Sequence, residues 1–136
     1  MNTIILGFDD SPQAARALDR AAELARSLDA RIVVTSVAPL LVPAGRGIGP
    51  YDPTDPPERH AALARDAATA LAERGIDAEA VTGLGEPGDA IVRVADQHSA
   101  DLIVVGMTHH PHLARLIGSV SDDVAHHAHC DVLLVR

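Results

Sequence analysis

The sequence contains no lysine and no tryptophan, and its aromatic rings are limited to Phe8 and Tyr51. Because all eleven basic residues are arginines, a P-loop, a pyridoxal Schiff base and a lysine nucleophile are excluded. The scarcity of aromatic rings removes the stacking platforms on which many RNA-binding and single-strand-binding proteins depend. Nineteen acidic residues bring the formal net charge to −8, which argues against nucleic acid and anionic membrane surfaces as partners.

Cysteine occurs once, at Cys130, which leaves no partner for an internal disulfide or a paired-cysteine motif. Such sparse use of cysteine fits a reducing cytoplasm. The first residues lack the basic and apolar regions of a secretory signal, and no apolar run approaches the ~20 residues of a membrane span. We therefore expect a cytoplasmic protein that does not enter a membrane. The apolar neighbours of Cys130 favour a buried, inert thiol, whereas a pKa lowered by His129 would favour redox chemistry.

The 136 residues alternate between short apolar runs and helical patterns. Near-continuous apolar runs are typical of strands in a parallel sheet, and they occur at residues 3–8, 31–37, 77–82, 101–105 and 131–135. Amphipathic spacing predicts four helices between these strands, at residues 11–28, 58–74, 88–98 and 119–128. This order predicts a single α/β domain over residues 1–136, a doubly wound parallel sheet with helices on both faces.

The segment 39–57 interrupts this alternation and is rich in proline and glycine. A loop of this length inside a compact domain is either a functional flap or partly disordered. The sequence therefore leaves two interpretations open, a flexible surface loop and a flap that covers a ligand.

Ligands of open parallel sheets bind outside the carboxyl ends of the strands. At that edge the sequence places Asp9 after the first strand and Val37 at the end of the second, and Gly106 follows the fourth strand. Gly118 and Ser119 stand at the start of the last helix, where free N–H groups and the helix dipole can hold an anion. Arg115 or a magnesium ion would add positive charge there. The same two residues also suit a tight turn and an ordinary N-cap.

The eight histidines are unevenly distributed. Three lie in the loop after the fourth strand and three near the end of the last helix, namely His109, His110, His112, His126, His127 and His129. A transition metal would need three converging imidazoles, and neighbours in sequence seldom converge, so we predict no metal site. No nucleophile, base and orienting group can be combined from the sequence, so we predict no catalytic residues.

Several motifs of this chain resemble those of the universal stress proteins along nearly its whole length. They are the first strand with Asp9-Asp10-Ser11, the turn Gly85–Ile91, the strand Ala100–Gly106 and the closing run Gly118–Val135. The resemblance implies a Rossmann-like fold with the sheet order 3-2-1-4-5 and a homodimer that pairs through the last strand. It also implies a site for ATP or AMP, with or without Mg²⁺.

The resemblance also implies roles for particular residues. Asp9 and Val37 would hold the adenine base, and the ribose and phosphates would lie against Gly106, Gly118, Ser119 and Ser121. The candidate set is completed by Gly7, His109 and Val120.

The chain departs from the pattern of the nucleotide-binding members at two points. His109 stands where they have a second glycine, and eight residues instead of nine separate it from Gly118. Glycine alone normally permits close approach of backbone to a phosphate, so the phosphate loop is degenerate. We expect a nucleotide-binding stress-response or signalling module that is not an enzyme, with at most slow, incidental ATP hydrolysis. The alternatives are a nucleotide-free dimeric member that binds partners, and an anion- or metal-responsive sensor that uses the histidine loop.

Overall fold

The structure, a computed structural model, describes residues 2–38, 54–107 and 120–136. In these ranges strands and helices alternate along the chain. The elements are β1 (Thr3–Gly7), α1 (Pro12–Leu28), β2 (Arg31–Ala38), α2 (Pro57–Glu73), β3 (Ala78–Leu84), α3 (Pro87–Gln97), β4 (Leu102–Gly106), α4 (Val120–His127) and β5 (Asp131–Val135). All strand pairs are parallel and the order is β3-β2-β1-β4-β5, so the predicted fold class and sheet order are confirmed.

Most predicted boundaries agree with the structure to within a residue or two. The largest difference is in β3, which was predicted to end at residue 82 but continues to Leu84. Gly83 pairs with Val37 and Leu84 with Ala38, which extends the ladder by two residues. Most of the predicted loop 39–57 lies outside the described residues, and α2 begins at Pro57.

The core has two halves, one on each face of the sheet. Because successive strand residues point to opposite faces, Ile4 and Leu6 pack with α1 and α2, whereas Ile5 packs with α3 and α4. The buried face of α1 is made almost entirely of alanine, which lets this helix lie close to the sheet. The helix starts at Ser11, whose hydroxyl accepts the Ala14 N–H at 3.1 Å.

The carboxyl end of β4 touches the first turn of α1. A Cβ atom added to Gly106 would lie 2.7 Å from the carbonyl carbon of Gln13 and 2.8 Å from its oxygen. These atoms belong to the backbone, so no side chain can rotate away to make room. A glycine at this position therefore brings the two segments together at the carboxyl edge of the sheet.

Cys130 precedes β5 and is half-buried against the α3–α4 half of the core. Burial raises the pKa of its thiol above the ordinary value, and the nearby carboxylates of Asp131, Asp96 and Asp101 raise this pKa further. The suggestion that His129 lowers the pKa is therefore wrong. The reason is that burial and these three carboxylates dominate the surroundings of the thiol, while the His129 ring lies 3.1 Å from the Asp96 carboxylate.

We predict that Gly106→Ala lowers the free energy of unfolding by about 2–3 kcal/mol, because the new methyl group overlaps backbone. Urea unfolding followed by circular dichroism measures this loss. The control is Gly75→Asn, at a position with φ of +81° and open space around the added Cβ. Asparagine tolerates that conformation, so the control should lose less than about 1 kcal/mol. Equal stability of Gly106→Ala and the wild type would contradict the close approach.

We predict that Cys130 reacts slowly with iodoacetamide at pH 7, because only the thiolate is nucleophilic and its raised pKa keeps the thiolate fraction small. The rate should keep rising about tenfold per pH unit to at least pH 9. The same chain unfolded in urea is the control, and its thiol should react faster at each pH. A rate that levels off below pH 8 in the folded protein would show that the pKa is lowered instead.

Candidate functional site

A cavity of about 330 Å³ opens at the carboxyl edge of the sheet, above the ends of β1, β2 and β4. The start of α3 and the first residue of α4 close one side, and the start of α2 lines the other. Five of the predicted site residues line it, namely Gly7, Asp9, Val37, Gly106 and Val120. The topology thus brings together residues that are more than a hundred positions apart in the sequence.

The backbone of Val37 has an open hydrogen-bonding edge towards this cavity. Residues of a parallel strand direct their N–H and C=O groups to the two neighbouring strands in alternation. Thr35 directs its groups towards β1, because its C=O accepts the Phe8 N–H at 2.9 Å. Val37 therefore faces the same side, but the β1–β2 register ends where Gly7 lies opposite Thr35. Within the described residues no backbone group pairs with this N–H or C=O, so one donor and one acceptor are directed into the gap beyond β1.

Asp9 lies at the edge of the same gap. One of its carboxylate oxygens, Oδ1, accepts the Ser11 N–H at 2.8 Å, which fixes the turn that leads into α1. The side chain is exposed, so its second oxygen is accessible to a ligand in the cavity.

Gly7 provides room beneath the cavity. A Cβ atom there would lie 2.8 Å from a methyl carbon of Val105 and 2.9 Å from one of Ile91. The missing side chain thus lets α3 pack against the sheet directly below the site. Beside it, the Thr35 hydroxyl is buried and has no hydrogen-bond partner within the described part of the chain.

The remaining predicted residues lie around the start of α4. Val120 is the first residue of this helix, and Ser121 is buried behind it with 1% of its surface exposed. His109, Gly118 and Ser119 lie outside the described residues. The phosphate loop therefore remains a prediction.

The structure adds a buried polar chain that sequence analysis missed. His60 is 6% exposed, and its Nδ1 atom lies 2.8 Å from the Ser36 hydroxyl. Its Nε2 atom lies 2.7 Å from Oδ1 of Asp55. A carboxylate only accepts hydrogen bonds, so in the neutral ring Nε2 donates to Asp55 and Nδ1 accepts from Ser36. These are the residue types of a hydrolase triad, but Ser36 is 2% exposed and lies within β2, so its hydroxyl is not presented to a substrate.

Arg59 continues this chain towards the start of α1. Its Nη1 atom donates to Oδ1 of Asp55 at 3.0 Å, and its Nη2 atom donates to Oδ2 of Asp10. Together these contacts tie the start of α2 to the ends of β1 and β2. A polar residue at position 60, where helical spacing requires an apolar one, was the available sequence signal.

The histidines near the end of α4 form hydrogen bonds with described neighbours. His126 and His127 each place Nδ1 within 2.9 Å of the carbonyl oxygen four residues earlier, and His129 pairs with Asp96. Within the described ranges no three histidine, cysteine or acidic side chains converge as metal ligands. His109, His110 and His112 lie outside those ranges.

No helix among the described residues is both long and apolar enough to cross a membrane.

Comparison with known proteins places the chain in one family. The family model described as "Universal stress protein family" matches residues 1–136. The universal stress protein Rv1636 of Mycobacterium tuberculosis is 32% identical, over 98% of this chain and 95% of its own length. The Bacillus subtilis protein YxiE is 30% identical, over 99% of both chains.

Two similar solved structures contain adenine nucleotides. A universal stress protein in complex with cAMP has a TM-score of 0.75 and 29% identity, with 99% of this chain and 97% of that chain covered. The universal stress protein from Archaeoglobus fulgidus in complex with dAMP has a TM-score of 0.72 and 28% identity, with 100% and 98% covered. The family model covers the whole sequence, and two relatives of 30% or more identity align over nearly its full length. This chain therefore belongs to the universal stress protein family.

Proposed function

We propose that this protein binds an adenine nucleotide in the cavity at the carboxyl edge of its sheet and acts as a stress-response or signalling module. The observation that carries the proposal is the open backbone edge of Val37 beside a cavity of about 330 Å³. The N–H and C=O of Val37 lie just past the last β1–β2 pair, and their spacing matches the ring nitrogen N1 and the 6-amino group of adenine. The N–H donates to N1 and the C=O accepts from the amino group.

The other walls of the cavity fit this ligand. Phe8, Ile91 and Val105 provide apolar surface for the faces of a base, and Asp9 offers a carboxylate oxygen. The Thr35 hydroxyl, which lacks a partner within the described ranges, gives a further polar group close to the base. Two members of the family with 28–29% identity were solved with cAMP and dAMP, which supports an adenine nucleotide here.

The cavity volume of about 330 Å³ lies within the ~300–1,000 Å³ range of small-molecule sites. The predicted phosphate loop favours AMP over ATP, since His109 replaces a glycine and the loop is one residue short. We place the phosphate against Gly106 and the start of α4, with Gly118 and Ser119 as the predicted contacts. Ser121, the third predicted contact, is 1% exposed and is not among the described lining residues, so binding through its hydroxyl would need a local shift. We assign no magnesium ligand.

We do not propose an enzymatic activity beyond slow, incidental ATP hydrolysis. Both ring nitrogens of His60 already have partners, so this histidine is not free to activate a water molecule. The Ser36 hydroxyl is buried and donates to the same ring. We also propose a cytoplasmic location, which the single cysteine supports.

We further propose a homodimer formed by β5, which lies at the edge of the sheet. The Val135 C=O accepts the Met107 N–H at 2.7 Å, so Val135 faces β4. By the same alternation, Val132 and Leu134 direct their N–H and C=O groups away from β4. An unpaired apolar edge of this kind is a template for pairing with a second chain.

The nucleotide proposal predicts that AMP binds at least about 100-fold more tightly than IMP in isothermal titration calorimetry. IMP carries a hydrogen on N1 and a carbonyl oxygen at C6, so both contacts with Val37 would be mismatched. Each mismatch should cost about tenfold in affinity. The control is dAMP, which keeps the adenine base and should bind within about tenfold of AMP. Equal affinity for AMP and IMP would contradict the Val37 contact, and no binding of any nucleotide would favour a nucleotide-free, partner-binding protein.

The dimer proposal predicts that Leu134→Pro converts a dimer into a monomer, because proline removes an outward N–H that pairs across the interface. Light scattering during size-exclusion chromatography measures the mass. Leu134→Ala is the matched control, since it loses the same side chain but keeps the N–H, and it should remain a dimer. A wild-type monomer at micromolar concentration would overturn the dimer.

A further inference from the structure

The charged side chains that line the described part of the cavity all lie on one wall. This wall is formed by the end of β1, the turn after it and the residues around the start of α2. Its charged members are Asp9, Asp10, Asp55 and Arg59. The opposite wall, from α3, β4 and α4, contributes Pro87, Ile91, Val105, Gly106 and Val120, which carry no charge. Among the described lining residues, charge is therefore confined to one side of the cavity.

The single guanidinium of this wall is already occupied by carboxylates. Arg59 donates through Nη1 to Asp55 and through Nη2 to Asp10. Arg59 keeps further N–H donors, but these two carboxylates already balance its charge, so it offers a phosphate no net positive charge. The three carboxylates and one guanidinium give the described lining residues a net charge of −2.

The wall is held in place by the buried chain that ends at Ser36. Asp55 accepts from His60 at 2.7 Å as well as from Arg59, and His60 is anchored to β2 through Ser36. If the Asp55 carboxylate turned away from the cavity, the buried imidazole of His60 would lose its hydrogen-bond partner, which is costly.

We infer that Asp10 and Asp55 make this site discriminate between ligands by charge, so that adenosine and AMP bind and ATP is disfavoured. This inference rests on the proposed function and adds the residues that set its ligand class. ATP carries about two more negative charges than AMP, and each of them is repelled by the carboxylate wall. Adenosine has no phosphate and avoids this repulsion, and AMP meets less of it than ATP because its single phosphate carries fewer charges. The hydroxyl and amino groups of both ligands can donate to the same carboxylates.

The expected effect is moderate because the wall is partly in water. The Asp10 side chain is 65% exposed and that of Asp55 is 34% exposed, so solvent and salt reduce the repulsion. We expect neutralising both carboxylates to change the preference for AMP over ATP by about tenfold at low salt.

The test measures dissociation constants for adenosine, AMP and ATP by calorimetry, with EDTA present so that divalent ions do not mask the phosphates. The variant Asp10→Asn/Asp55→Asn keeps an acceptor oxygen for Arg59 and His60 at each position. It should lower the ratio of the ATP constant to the AMP constant about tenfold. Raising the ionic strength from about 0.05 M to about 0.5 M should lower the wild-type ratio as well.

The control variant is Asp66→Asn/Glu73→Gln, which removes the same number of charges from exposed positions on α2 away from the cavity. Its ratio should equal that of the wild type. Arg59→Gln should act in the opposite direction and raise the ratio, because it leaves the carboxylates uncompensated. General damage to the fold would weaken all three ligands and leave the ratio unchanged.

A wild-type preference for ATP would overturn the inference. So would an unchanged ratio in Asp10→Asn/Asp55→Asn, which would assign the discrimination to the phosphate loop. If Arg59→Gln lost AMP but kept adenosine, Arg59 would be a phosphate ligand and the inference would be wrong. Failure of all three ligands to bind would instead overturn the proposed function itself.

Discussion

The site depends on one mismatch in strand length between β1 and β2. Buried backbone groups need partners, and the interior of the sheet meets this need through continuous parallel ladders. β1 stops at Gly7 while β2 continues to Ala38. The backbone N–H and C=O of Val37 therefore have no strand partner on the β1 side within the described residues. The glycine at position 106 lets α1 approach the same edge. The hydrogen-bonded side chains of Ser36, His60, Asp55 and Arg59 form one side of the cavity. The cavity is thus a by-product of how the sheet ends.

Much of this arrangement could be predicted from the sequence. Near-continuous apolar runs identified the strands, and the carboxyl-edge rule brought Asp9, Val37 and Gly106 together before the structure was known. The extension of β3 was missed because the apolar run ends before Gly83, and only pairing with β2 shows that Gly83 continues the strand. Local preference was outweighed by the register of the neighbouring strand.

The polar wall could not be predicted in the same way. Ser36 and His60 are 24 positions apart, and Asp55 lies in a proline-rich stretch with no periodic pattern. Nothing in the spacing indicates that these three side chains meet. A histidine among the alanines of the buried face of α2 does indicate that a partner must exist, because an unpaired buried polar group is costly. The identity of that partner depends on how α2 docks on β2.

The hydrogen bond from Ser36 to His60 also has a consequence for the evolution of chain length. The bond closes a loop of chain between two residues that are 24 positions apart, at the place where α2 packs against β2. The free-energy cost of closing such a loop grows only logarithmically, by about 0.6 kcal/mol for each doubling of the loop length. Insertions and deletions between these two residues should therefore cost little folding free energy as long as both ends keep their contacts. The number of residues between Val37 and Asp55 can therefore change in descendants of this chain while the sheet, and the Val37 edge within it, stays the same.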